Sequence, residues 1–144
     1  MPARHGGLNR VTAIEEILTT AKVIAIVGLS ERKDRPAYGV AEYLQTVGYR
    51  VIPINPALEQ PVLGEQPYPN LESFPGHIDL VDIFRRSDLV DEVVGSAIRA
   101  GADAIWMQLG IVNEQAATAA EQAGLKVVMD RCTAVEHRKM AISR

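Results

Sequence analysis

At 144 residues, with 47% hydrophobic and 23% charged side chains, the chain has the composition of one ordinary globular domain and not of a disordered segment. A net charge of −3 argues against general nucleic-acid binding, which needs a broad basic surface. No apolar run reaches the roughly 20 residues that cross a bilayer. The single cysteine, Cys132, excludes an internal disulfide framework and a multi-cysteine zinc site. The three histidines, His5, His77 and His137, show no ligand-like spacing, so no metal is expected.

Residues 1–10 hold Arg4, His5 and Arg10 but no apolar stretch, which reads as a loose lead-in, not a signal peptide, and implies a cytoplasmic location. The domain proper is expected over residues 11–144. Thr12 followed by Glu15 forms a capping box for a helix over residues 12–21, with Ile14, Ile17, Leu18 and Ala21 on one face. Val23 to Val27 is a continuous apolar run, as in a strand buried on both faces, and ends at Gly28. Pro36 suits the first position of a second helix, whose inner face carries Val40, Ala41, Leu44 and Val47 and which Gly48 stops. Arg50 to Ile54 supplies a second strand.

Residues 55–76 contain Pro56, Pro61, Pro67, Pro69 and Pro75, which exclude a long helix. A third strand is expected over residues 78–84, then a helix over 87–101 with Ser87 as its cap. Asp88, Asp91 and Glu92 lie near that helix's positive end, and Leu89, Val90, Val93, Val94, Ala97 and Ile98 face inward. Residues 104–109 form a fourth strand, in which Trp106 reads as core. Asn113 caps an alanine-rich helix reaching Gly124, residues 126–129 form a fifth strand, and a short helix over 134–140 closes the chain. On that last helix Glu136 and His137 read as surface residues. Strands alternating with helices imply a Rossmann-like, doubly wound α/β sheet of about five parallel strands with helices on both faces.

In such sheets ligands bind beyond the carboxyl ends of the strands, so the segments after each strand are the places to look. Gly28-Leu29-Ser30 turns from the first strand toward a helix. Backbone N–H groups and the helix dipole there suit a phosphate, and Arg32, Lys33 and Arg35 add charge before Pro36. Read as a plain turn, the same residues are a tight bend and a solvated basic face. The dinucleotide fingerprint is incomplete: Ser30 stands where a second glycine would lie. The second strand ends in Ile54-Asn55-Pro56, without the acid that binds a ribose in NAD sites. After the third strand, Phe84 offers a flat apolar wall beside Arg85 and Arg86. After the fourth, Gln108, Leu109 and Gly110 follow Trp106. Cys132 lies at the same edge after the fifth, and its commoner role is packing.

Taken together, five stretches resemble the CoA-binding domain family, small proteins similar to the N-terminal domain of the succinyl-CoA synthetase alpha subunit. They are residues 27–36, 48–56, 81–85, 106–110 and 130–132, in that order. The resemblance implies coenzyme A as the ligand. Its phosphates would lie on the loop from Gly28 to Pro36, its adenine near Asn55, Pro56 and Phe84, and its pantetheine arm toward Leu109 and Gly110. Ala57 stands where related domains often carry a base for a CoA phosphate. The synthetase's phosphorylated histidine belongs to a second domain, so ligase activity is not carried over.

The leading expectation is therefore a non-catalytic module binding CoA or acyl-CoA, with no nucleic-acid or membrane partner. One alternative is an enzyme, either a Rossmann-type oxidoreductase or a CoA-thiol enzyme using Cys132. Another is a regulatory subunit that senses CoA.

Overall fold

The computed structural model describes residues 7–143, with side chains over residues 13–141. Five strands, β1 (Val23–Val27), β2 (Arg50–Ile54), β3 (Leu80–Ile83), β4 (Ala104–Met107) and β5 (Lys126–Val128), form one parallel sheet in the order β2-β1-β3-β4-β5. The helices are α1 (Gly7–Thr20), α2 (Pro36–Thr46), α3 (Val90–Ala100), α4 (Glu114–Gln122) and α5 (Thr133–Ser143). This is the expected Rossmann-like α/β fold, and its strand order reverses between β1 and β3.

Both faces of the sheet are covered because its strands carry apolar side chains on both sides, not on one side alone. Ala25, Val27, Ile52, Val81, Ile83, Ile105 and Met107 point to the face covered by α3 and α4. Ile24, Ile26, Val51, Leu80 and Trp106 point to the other, where Leu18 of α1 and Ala41 and Leu44 of α2 pack. Trp106 is fully buried, and its indole N–H donates to the Arg131 carbonyl at 2.8 Å.

Three local expectations are corrected. Helix α1 begins at Gly7, so Thr12 lies inside it and not at its cap, and residues 7–10 of the expected lead-in are helical. Residues 1–6 of that lead-in lie outside the described residues. Ser87 does not cap α3: it opens a short 3-10 turn, Ser87–Leu89, and its hydroxyl accepts instead from the Val112 amide at 3.2 Å. Glu136 and His137 are not simple surface residues. The Glu136 side chain is 13% exposed and faces Lys139 at 3.6 Å, while His137 Nδ1 meets the Tyr43 hydroxyl at 2.8 Å and ties α5 to α2.

The proline-rich stretch is ordered by pairing. Tyr68 bridges to Ile54 in parallel, its amide donating to Pro53 O and its carbonyl accepting from the Asn55 amide. Asn70 then caps a turn over Leu71–Ser73 by accepting from the Ser73 amide at 2.9 Å. The stretch thus returns its far end to the carboxyl edge of β2.

Candidate functional site

Gly28 stands at the point where the strand order reverses. Its φ is +96°, and an added Cβ would lie 2.5 Å from the Phe84 carbonyl oxygen. Only glycine avoids both the left-handed strain and that collision, so β1 and β3 stay paired to their last residues. The Gly28 amide donates to Ile54 O, and the Phe84 amide to Val27 O, each at 3.0 Å.

The loop that follows is held from both sides. Leu29 is fully buried against the α2 layer, so it can meet a ligand only through its backbone, and its carbonyl accepts from Asn55 Nδ2 at 3.2 Å. The Asn55 Oδ1 accepts from the Ala57 amide, closing an Asx turn over Pro56. Ser30 Oγ accepts from the Arg32 amide. The loop enters α2 through Pro36 at its first position, with no acidic residue in the first turn to neutralise the helix's positive end.

Charge separates the basic residues into two groups. Arg32 pairs with Asp34 through two contacts, at 3.1 and 3.3 Å, and Arg86 pairs with Asp88 at 3.2 and 3.4 Å. Lys33, Arg35 and Arg85 make no ion pair or side-chain hydrogen bond among the described residues. Two cavities open here and share Gly28 and Arg85. One, of about 250 Å³, lies between the ends of β1 and β2 and the start of α3, lined among others by Ile54, Pro56, Leu71, Leu89 and Val93. The other, of about 470 Å³, is lined by Ser30, Arg32, Arg35, Pro36, Phe84 and Arg86. Glu92 lines the first, which makes that slot the poorer place for a phosphate.

The remaining residues singled out from the sequence lie further along the edge. Lys33 lines neither cavity. Leu109 is 72% exposed and, with Cys132 and Val135, lines a separate cavity of about 300 Å³. Gly110 is turned toward β5, where its amide donates to Asp130 Oδ1 at 2.7 Å. Gln108 is buried and points inward, its Oε1 accepting from the Thr133 amide at 3.1 Å.

That inward turn exposes a group the sequence reading passed over. Asp82 is fully buried in the middle of β3, and Thr133 Oγ1 lies 2.9 Å from its Oδ2 and 3.0 Å from Gln108 Oε1. A hydroxyl has one proton. The Thr133 amide identifies the nearer Gln108 atom as oxygen, so beside an ionised Asp82 the hydroxyl would face two acceptors with a proton for only one. A protonated Asp82 satisfies both contacts at once, donating to the Thr133 oxygen while the hydroxyl donates to Gln108. Burial favours the neutral form and pushes the Asp82 carboxyl up from 3.8 to about 8, outweighing the hydrogen bonds that the Thr133 hydroxyl and the Ile83 backbone would donate to the ionised form. The signal was one acid inside the apolar run 80–83. The cavity residue Leu71 left no such signal, because only the return of the proline-rich stretch brings it to the edge.

The comparisons agree with this architecture. The family model described as CoA binding domain matches residues 22–138. The uncharacterized protein YneT of Bacillus subtilis is 40% identical over 124 residues, covering 86% of this chain and 91% of that one. A hypothetical protein from Pyrococcus horikoshii superposes with a TM-score of 0.86 at 40% identity, covering 91% of this chain and 92% of that one. The dinucleotide-forming acetyl-coenzyme A synthetase 1 of Ca. Korarchaeum cryptofilum shares the fold, with a TM-score of 0.67 at 24% identity. That match covers 78% of this chain and 26% of the synthetase. With a model match across most of its length and a 40% identical relative spanned almost end to end, the chain belongs to the CoA binding domain family.

Proposed function

We propose that this chain binds coenzyme A, free or acylated, across the two cavities at the β1–β3 switch point, and performs no chemistry on it. The observation that carries the reading is the pair Arg35 and Arg85. Each is a cation without a carboxylate partner among the described residues, set among the residues lining the larger cavity, while the neighbouring Arg32 and Arg86 are already neutralised. A ligand with a diphosphate and a ribose phosphate matches two free guanidinium groups and an unneutralised helix N-terminus. The smaller slot, walled by Pro56, Leu71, Leu89 and Val93, suits a flat base. Family membership supports the choice of CoA among such ligands. NAD fits less well, because Asn55 at the end of β2 is spent on the Asx turn and on Leu29, leaving no acid for a ribose.

Calorimetric titration with CoA, dephospho-CoA and NAD tests the reading. CoA is expected to bind tightest and dephospho-CoA more weakly, and a preference for NAD would overturn it. A second reading rests on Cys132, which lines its cavity beside the exposed Leu109 at the same edge. Its thiolate would attack the disulfide of oxidised CoA, forming a mixed disulfide and releasing one CoA thiolate. Mass spectrometry after exposure to oxidised CoA checks this, and an unmodified Cys132 would exclude it.

A further inference from the structure

The opposite edge of the sheet carries a second constellation that the CoA reading does not use. Parallel βαβ units send their helix C-termini there, and the ends of α1, α3 and α4 line a cavity of about 460 Å³ through Thr20, Gly101 and Gly124. Three helix C-termini at one opening present partial negative charge. Asp79 and Asp103, from the loops entering β3 and β4, line the same cavity and add formal charge. Its one lysine, Lys126, lies 3.9 Å from Glu16. A cation is what this field favours.

The donor atoms to hold one are present. His77 Nε2 lies 2.9 Å from Asp103 Oδ2 and 3.6 Å from Asp79 Oδ1, and the ligand atoms of the three residues all lie within 4.8 Å of one another. Ligands on a tetrahedral ion with bonds of about 2.1 Å are about 3.4 Å apart, so the two histidine distances bracket that edge. Asp79 is also oriented from behind, because its Oδ2 accepts the Lys22 and Val23 amides at 3.0 and 2.8 Å and leaves Oδ1 to the cluster.

The geometry points to a divalent-cation site formed by His77, Asp79 and Asp103 at the amino edge of the sheet, with open positions toward the cavity. One imidazole nitrogen with two carboxylate oxygens selects an ion of the zinc class over magnesium or calcium, which take oxygen sets. Binding replaces the His77–Asp103 hydrogen bond with two metal bonds. The linear spacing of the histidines hid the site, since its two acids enter from separate strand starts.

The test is calorimetric titration of tag-free, chelator-stripped protein with zinc chloride, paired with cobalt titration followed by visible absorption. One ion per chain is expected, with His77→Ala and Asp103→Asn each weakening binding at least tenfold and excess magnesium failing to compete. Cys132→Ser should bind like the parent, which separates this site from the thiol. Circular dichroism checks that each variant folds, and His77→Gln replaces any that does not. Absence of saturable binding, or unchanged affinity in the His77 variant, overturns the proposal. CoA affinity is read separately and does not depend on it.

Discussion

Replacing Asp82 by asparagine should flatten the dependence of stability on pH. In the native chain the carboxyl is held neutral to about pH 8, whereas in the unfolded chain it ionises near 3.8. Between those values the folded state binds more protons than the unfolded state, so the Asp82 contribution to stability falls as pH rises. It is fully present below about 4 and is lost progressively up to about 8. Linkage over the interval from pH 5 to 7 gives a loss of roughly 2–3 kcal/mol, since the limiting slope is about 1.4 kcal/mol per pH unit. Guanidinium unfolding of parent and Asp82→Asn at pH 5, 6 and 7 measures it, and groups common to both chains cancel in the difference. Parallel curves, within about 0.5 kcal/mol across that interval, would show an ionised carboxyl in the native state and refute the proton placement. Carbon-13 NMR of the Asp82 carboxyl, titrating near pH 8, provides the same reading without a variant.

Other outcomes follow from named contacts. Gly28→Ala puts a methyl 2.5 Å from Phe84 O at positive φ and should cost at least about 2 kcal/mol in chemical denaturation while lowering CoA affinity. Arg35→Ala and Arg85→Ala should each weaken CoA binding about tenfold or more in calorimetry, and Arg32→Ala much less, because Arg32 already pairs with Asp34. Equal effects at all three positions would contradict the division of charge. Asn113→Ala removes the Oδ1 that caps α4 at the Ala116 amide and the Nδ2 that reaches Ser87 O, and should cost about 1 kcal/mol or somewhat more in urea unfolding.

The order of elements was legible in the sequence because continuous apolar runs of four or five residues, such as 23–27 and 104–107, require a sheet covered on both faces. Gly28, Pro36 and Asn113 announced themselves for local reasons: a positive φ, a first helical turn and a side-chain cap. These are properties of neighbouring residues, which a linear reading carries. Which arginine lacks a carboxylate partner among the described residues was not legible. Arg32, Arg35, Arg85 and Arg86 look alike in sequence, and the distances to Asp34 and Asp88 divide them. The folding-back of residues 55–70 onto β2, the hydrogen bonds joining Asp82, Thr133 and Gln108, and the meeting of His77 with Asp103 all bring together residues far apart in the chain. Such contacts exist only when strand order and register are set, because burial and hydrogen-bond geometry act through space and not along the chain. The sequence alone determined a tight glycine turn at the end of β1, and tertiary structure decided which of the charges around it pair with a carboxylate and which do not among the described residues.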